Sequence, residues 1–213
     1  MHNSQNQLTE INKNIESRIK ELNFKDYNPK IIAVSKTFNE DKIKPLIEFG
    51  HRDFGENRVQ EAYEKWSNIK DNKIKLHLIG KLQTNKVKIA VSLFDFIHSL
   101  DNEKLANKIA EEQKKVKRNL KIFIQVNFGE EQQKSGIAPK YIENFYNYCK
   151  KNLNLNVIGT MCLPPYAENP EPFFKQLLEI NQSLKLNELS MGMSEDYLTA
   201  IKYRSTYLRI GSK

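Results

Sequence analysis

Three short stretches carry residue types that could do chemistry together. In IIAVSKTFNE, residues 31 to 40, a run with strand character closes on Ser35 and meets a lone lysine, Lys36. A lysine in a partly desolvated pocket with another cation nearby loses some of its preference for the charged form, and the neutral amine is the species that condenses with an aldehyde. In LSMGMSEDY, residues 189 to 197, a strand end bearing Ser190 is followed by Gly192 and by Ser194. Read as a serine-capped helix N-terminus, that stretch offers backbone N–H groups and a helix dipole to a phosphate. The third stretch is RIGS, residues 209 to 212, with Arg209, Gly211 and Ser212.

These stretches can meet only if the fold brings strand ends together. Apolar runs suited to buried strands occur at residues 31–34, 52–54, 76–79, 94–98, 122–126, 157–161, 188–191 and 206–210. Helical patterns separate them. Leu8, Ile11, Ile15, Ile19 and Leu22 form a stripe before the first run, and Val59, Ala62, Tyr63 and Trp66 recur at i, i+3, i+4 and i+7. Asp101 and Ser194 read as helix caps, Pro139 and Pro170 as helix openers, and Pro45 predicts a late start or distorted first turn for the helix drawn over 40–49. Eight strands alternating with helices predict parallel pairing and a closed (β/α)8 barrel, a single domain over residues 1–213 with an extra N-terminal helix. A doubly wound open sheet would want a glycine-rich turn after the first strand, and SKTFNE has no glycine.

In such a barrel the C-terminal strand ends form one ring. Here that ring would hold Lys36, Glu56, Asn57, His77, His98, Ser99, Gln125, Asn127, Met161, Ser190, Ser194, Arg209, Gly211 and Ser212. Taken singly, His77 reads more readily as a hydrogen-bonded core histidine, while Arg209 reads equally as a paired interior arginine, Asn57 as a helix cap and Lys36 as a lysine snorkelling out of the mouth. Their equivalent places in a repeating unit are what join them. An aldehyde-binding lysine beside a phosphate cradle describes pyridoxal 5'-phosphate (PLP).

Composition narrows the alternatives. The formal net charge is +8, with KKVKR (114–118) the densest basic run, but lysine is spread along the chain and no aromatics interleave with that run, so nucleic-acid binding is not expected. The two cysteines lack CxxC spacing and the four histidines form no ligand pattern, so neither a disulfide framework nor a metal site is expected. With no apolar run long enough for a membrane span and no apolar leader in MHNSQNQLTEINKNIESRIK, the reading is a cytoplasmic protein.

The motifs AVSKT, GHRDFGENRVQE, LHLIGKLQTNK, HSLD, QVN with KSGI, GTMCLPP, LSMGMSEDYLTAI and RSTYLRIG, in that order over residues 31 to 212, closely resemble the pyridoxal phosphate homeostasis protein family. The resemblance implies a barrel like the N-terminal domain of alanine racemase, with PLP held as a Schiff base on Lys36 and Arg209 facing the pyridine nitrogen. It implies Ser194, Gly211 and Ser212 on the phosphate, and Asn57, His77 and Ser190 lining the cofactor. Three departures stand out: Arg204 where the family has glycine before ST, Ser212 for a threonine, and an end at Lys213 where the family continues through IFG. The last predicts weaker phosphate binding. An arginine at the pyridine nitrogen weakens the ring as an electron sink, and the chain ends at its eighth strand without the further domain that supplies a second base in alanine racemase. The expectation is therefore a monomeric carrier that buffers PLP or delivers it to apo-enzymes, without robust catalysis. The alternative is an amino-acid racemase with His77 as its second base.

Overall fold

The computed structural model describes residues 3–36, 38–129, 135–165 and 168–211. Eight strands, β1 (Lys30–Val34), β2 (Asp53–Glu56), β3 (Lys75–Leu78), β4 (Phe96–Leu100), β5 (Lys121–Val126), β6 (Val157–Cys162), β7 (Glu188–Met193) and β8 (Tyr207–Gly211), pair in sequence order into a closed barrel. Every pairing is parallel, and β8 closes on β1 through Lys30 opposite Tyr207 to Val34 opposite Gly211. Strands buried on both faces must be apolar on both, which is why they read in the sequence as unbroken runs rather than alternations.

The helices are α1 (Asn3–Glu21), α2 (Glu40–Glu48), α3 (Val59–Trp66), α4 (Val87–Leu93), α5 (Glu103–Val116), α6 (Ile142–Asn147), α7 (Glu171–Ser183) and α8 (Tyr197–Lys202). The predicted stripe on α1 is real: Leu8 and Ile15 are buried, with Ile11 and Ile19 packed beside them. Through that stripe α1 packs against both α8 and α2, so the helix preceding the barrel takes the place between them in the outer layer. One core lies between strands and helices; a second, Ile32, Phe96, Phe123, Met161 and Tyr207, fills the barrel interior.

Some boundaries depart from expectation, each for a local reason. Helix α2 starts at Glu40 and carries Pro45 inside it, not a late start. At α5 the cap is Asn102, whose side chain accepts from Leu105 N at 2.9 Å, not Asp101. Strand β4 begins two residues later than predicted. Phe94 terminates α4, and Asp95 is spent on the turn, accepting from Leu76 N at 3.0 Å and from Arg118 at 3.2 Å. Arg204, where glycine was expected, adopts φ 57°, and its guanidinium lies 4.1 Å from the ring centre of Phe24. That cation–π contact offsets the cost of a left-handed non-glycine residue. Among the described residues no helix is long and apolar enough to cross a membrane.

Candidate functional site

The C-terminal ends of β7, β8, β1 and β2 lie side by side. Val34 is opposite Gly211 on one flank and Gly55 on the other, while Ser194 Oγ is 3.2 Å from both the N and the O of Gly211. Lys36, two residues past Val34, Asn57, two past Gly55, Ser194 and Gly211 are thereby gathered on one half of the mouth. Ser212 lies outside the described residues.

The turn that presents the exposed Lys36 is clamped from below. Ser35 Oγ donates to Glu56 Oε1 at 2.7 Å, Lys65 Nζ donates to the Ser35 carbonyl at 2.6 Å and to the same Glu56 oxygen at 2.8 Å, and Trp66 Nε1 donates to it at 2.9 Å. Both the side chain and the carbonyl of Ser35 are thus held before the chain reaches Lys36. Glu56 Oε2 is buried without a hydrogen-bond partner. A buried carboxylate is tolerable only when paired, and Lys65, one of three donors on Oε1 beside Ser35 and Trp66, supplies that.

Ser194 does not cap α8. The cap is Asp196, whose Oδ1 accepts from Met193 N at 2.5 Å and so folds the turn back on itself. This frees the Ser194 hydroxyl for the backbone of Gly211. Gly192 makes the turn possible: its φ is 92°, and a Cβ there would come within 2.7 Å of the Ala200 Cβ. Asn57 is not a cap either, since Arg58 occupies that position ahead of α3. Its loop is fixed by close approach to Gly80, where a Cβ would lie 2.2 Å from the Asn57 carbonyl oxygen.

Arg209 points into the barrel and is buried. Nη1 donates to Ser190 Oγ at 2.7 Å and Nη2 to the Cys162 carbonyl at 2.8 Å; among the described residues no carboxylate pairs with it. His77 and Ser190 stand deeper than the ring of strand ends in which the sequence put them. Both are completely buried; His77 Nδ1 is 3.0 Å from His98 Nε2, and His77 Nε2 is 3.0 Å from Asp53 Oδ1 at the opposite end of the barrel. Burial pushes the pKa of both imidazoles down, His98 well below the ordinary value, where His77 and Arg209 add to the effect. For Asp53 burial alone would act upward, but the hydrogen bond and charge of His77, with Lys30 and His51, hold it below the usual carboxylate range. With both its nitrogens committed inside the barrel, His77 cannot serve as a second base at the mouth. The Cys162 thiol, pushed up to about 12 by burial, stays protonated at neutral pH.

The sequence missed Asp53, hidden in the short run 52–54, and missed Lys65 and Trp66, whose contact with Glu56 depends on how α3 packs. Among the described residues no group of histidine, cysteine and carboxylate side chains could hold a metal ion. What the mouth offers is an exposed amine, a hydroxyl, the backbone at Gly211 and a buried guanidinium that feels the charge of Asp196 but, among the described residues, makes no salt bridge, a set suited to an anionic ligand that carries an electrophilic carbon.

The chain matches the family described as "Alanine racemase, N-terminal domain" over residues 7–213. It is 39% identical over 194 residues to the pyridoxal phosphate homeostasis protein of Aquifex aeolicus, covering 86% of this chain and 84% of that one. It is 36% identical to that of Haemophilus influenzae, covering 99% and 94%. Among solved structures, PipY of Synechococcus elongatus with PLP bound superposes with a TM-score of 0.81 at 31% identity, covering 92% of this chain and 97% of that one. An alanine racemase of Clostridium difficile shares the fold, with a TM-score of 0.69 at 14% identity, covering 93% of this chain and 55% of that one.

Proposed function

This chain belongs to the pyridoxal phosphate homeostasis protein family, on the barrel of the alanine racemase N-terminal domain, and from that premise we propose that it binds PLP at the β7–β8–β1–β2 mouth and serves PLP homeostasis as a carrier. The observation that carries the reading is the donor set itself. Lys36, Ser194 and Gly211 converge on three adjacent strand ends, above an Arg209 that makes no salt bridge among the described residues. Gly211 leaves room there, since a Cβ would meet nothing nearer than Val34 Cβ at 3.9 Å.

In this reading Lys36 would hold the group as a Schiff base, Ser194, Gly211 and Ser212 would bind its phosphate, and Asn57 would flank the ring. Bound PLP supplies an aldehyde carbon that condenses reversibly with primary amines. Arg209 can only donate hydrogen bonds, so a ring nitrogen held by it would stay unprotonated and the ring would be a weak electron sink. His77 and Ser190 act from beneath Arg209. With no second base supplied by His77, the site is built to hold and release a reactive aldehyde and not to racemise amino acids. The proposed setting is a cytoplasmic monomer whose recipients are apo-enzymes that need PLP.

Two assays on the PLP-loaded protein test this. Incubation with L-alanine in deuterated water should give neither appreciable α-deuterium exchange nor the D-isomer; exchange that vanishes in Lys36→Ala would establish a racemase instead. Mixing with an apo PLP-enzyme, in the presence of a trap for free PLP, should restore that enzyme's activity. Failure to restore it, with or without the trap, would refute delivery.

A further inference from the structure

One chain of hydrogen bonds runs the depth of the barrel. From Arg209 Nη1 it passes to Ser190 Oγ at 2.7 Å, from Ser190 Oγ to His98 Nδ1 at 2.8 Å, from His98 Nε2 to His77 Nδ1 at 3.0 Å, and from His77 Nε2 to Asp53 Oδ1 at 3.0 Å. The imidazoles are held flat, His77 stacked on Phe96 with ring centres 4.1 Å apart and His98 on Phe123 at 4.3 Å. Arg209, Ser190, His98 and His77 are buried, whereas the Asp53 side chain is 22% exposed at the end of the barrel away from the mouth.

The protons in this chain can be placed by elimination. A guanidinium only donates, so Ser190 Oγ accepts from Arg209, and an ionised carboxylate only accepts, so His77 carries its proton on Nε2. His77 Nδ1 is then an acceptor, His98 must donate from Nε2, and His98 Nδ1 receives the Ser190 hydroxyl proton. Every bond points from Arg209 toward Asp53. The reverse polarity would set a bare His77 nitrogen against the carboxylate and deprive the Ser190 hydroxyl proton of His98 as its acceptor, a buried unmet donor. The polarity is therefore locked from both ends.

We propose that Asp53 is a positioning residue for Arg209: acting through His77, His98 and Ser190, its charge fixes the hydrogen-bond polarity of the barrel axis and so the pose of the guanidinium at the mouth. The link of that pose to PLP rests on the function proposed above; the relay itself does not. Among the described residues Lys30, Tyr207 and His51, whose Nε2 lies 2.8 Å from the Asp53 carbonyl, are the other charged or titratable groups that act on the carboxylate, and Asp95 also acts on His77.

The test uses the ligand-free protein with 15N-labelled histidine and arginine. NMR should show both His77 and His98 protonated on Nε2, and the Arg209 Nη protons slow to exchange. Asp53→Asn offers His77 a donor or an acceptor without charge. It should bring up an Nδ1-protonated population at His98, which Asp53 does not touch, and speed Arg209 Nη exchange at least tenfold, while Asp53→Glu restores both readouts. Wild-type His98 protonated on Nδ1, or a His98 tautomer and an Arg209 exchange rate unmoved in Asp53→Asn, would overturn the relay. If Asp53→Asn does not fold, the wild-type tautomers decide. In PLP-loaded protein, Asp53→Asn should also shift the pH midpoint of the visible absorbance. A relay intact by NMR with that midpoint unmoved would remove Arg209 from the cofactor ring and leave the relay standing.

Discussion

Mild acid should destabilise this barrel through the buried imidazole of His98. In the folded protein His98 is wholly buried and its pKa lies well below the ordinary 6.5, so it stays neutral where the unfolded chain takes up a proton. Because the folded value is the lower one, the unfolded state binds more protons between the two, and stability falls as pH drops below about 6.5. Between pH 7.5 and 5.5 one such imidazole costs about 1.4 kcal/mol. His77 and His51, also pushed down by burial, act in the same direction with up to a similar share each. Urea denaturation at the two pH values should therefore show a loss of up to about 4 kcal/mol for wild type, and His98→Gln should reduce that loss by about 1.4 kcal/mol. The comparison reads only the pH dependence, so a general destabilisation by the substitution does not obscure it. A pH dependence unchanged in His98→Gln would refute a neutral His98 at the centre of the barrel.

Glu56→Ala strands a Lys65 that is 11% exposed along with the Trp66 and Ser35 donors, and should cost about 3–5 kcal/mol by urea denaturation; a loss under 1 kcal/mol would dismiss the clamp. Arg204→Ala keeps the left-handed backbone but loses the contact with Phe24, and should be about 1 kcal/mol less stable than wild type, with Arg204→Gly recovering part of that because glycine carries no left-handed penalty. Equal stability of the three would show that the ring contact contributes nothing. Ser194→Ala removes two contacts with the Gly211 backbone, so stability should fall by about 1 kcal/mol and PLP titrations should show weaker binding; unchanged affinity would take Ser194 out of the site.

The barrel was legible because parallel strands buried on both faces write themselves as apolar runs, and Lys36 stood out because a charge directly after such a run needs a reason. Arg209 was visible through its place in the last predicted strand, beside Gly211 and Ser212. The errors share a cause. Ser194 and Asp101 are good capping residues, yet each has a competitor one or two positions on, Asp196 and Asn102, and the choice is made by tertiary placement of the turn. Asp53, and the contacts that join Glu56 to Lys65 and Trp66, could not be read. Their partners lie on neighbouring strands or on a helix whose rotation no local pattern specifies.

Lys36 is the amine proposed to hold the cofactor. Purified protein incubated with PLP, reduced with borohydride and digested should carry pyridoxyl mass on the Lys36 peptide, and Lys36→Ala should lose both that mass and the visible absorbance while melting as wild type does. Pyridoxyl mass mapping wholly to another lysine, or a visible band that survives in Lys36→Ala, would contradict the account.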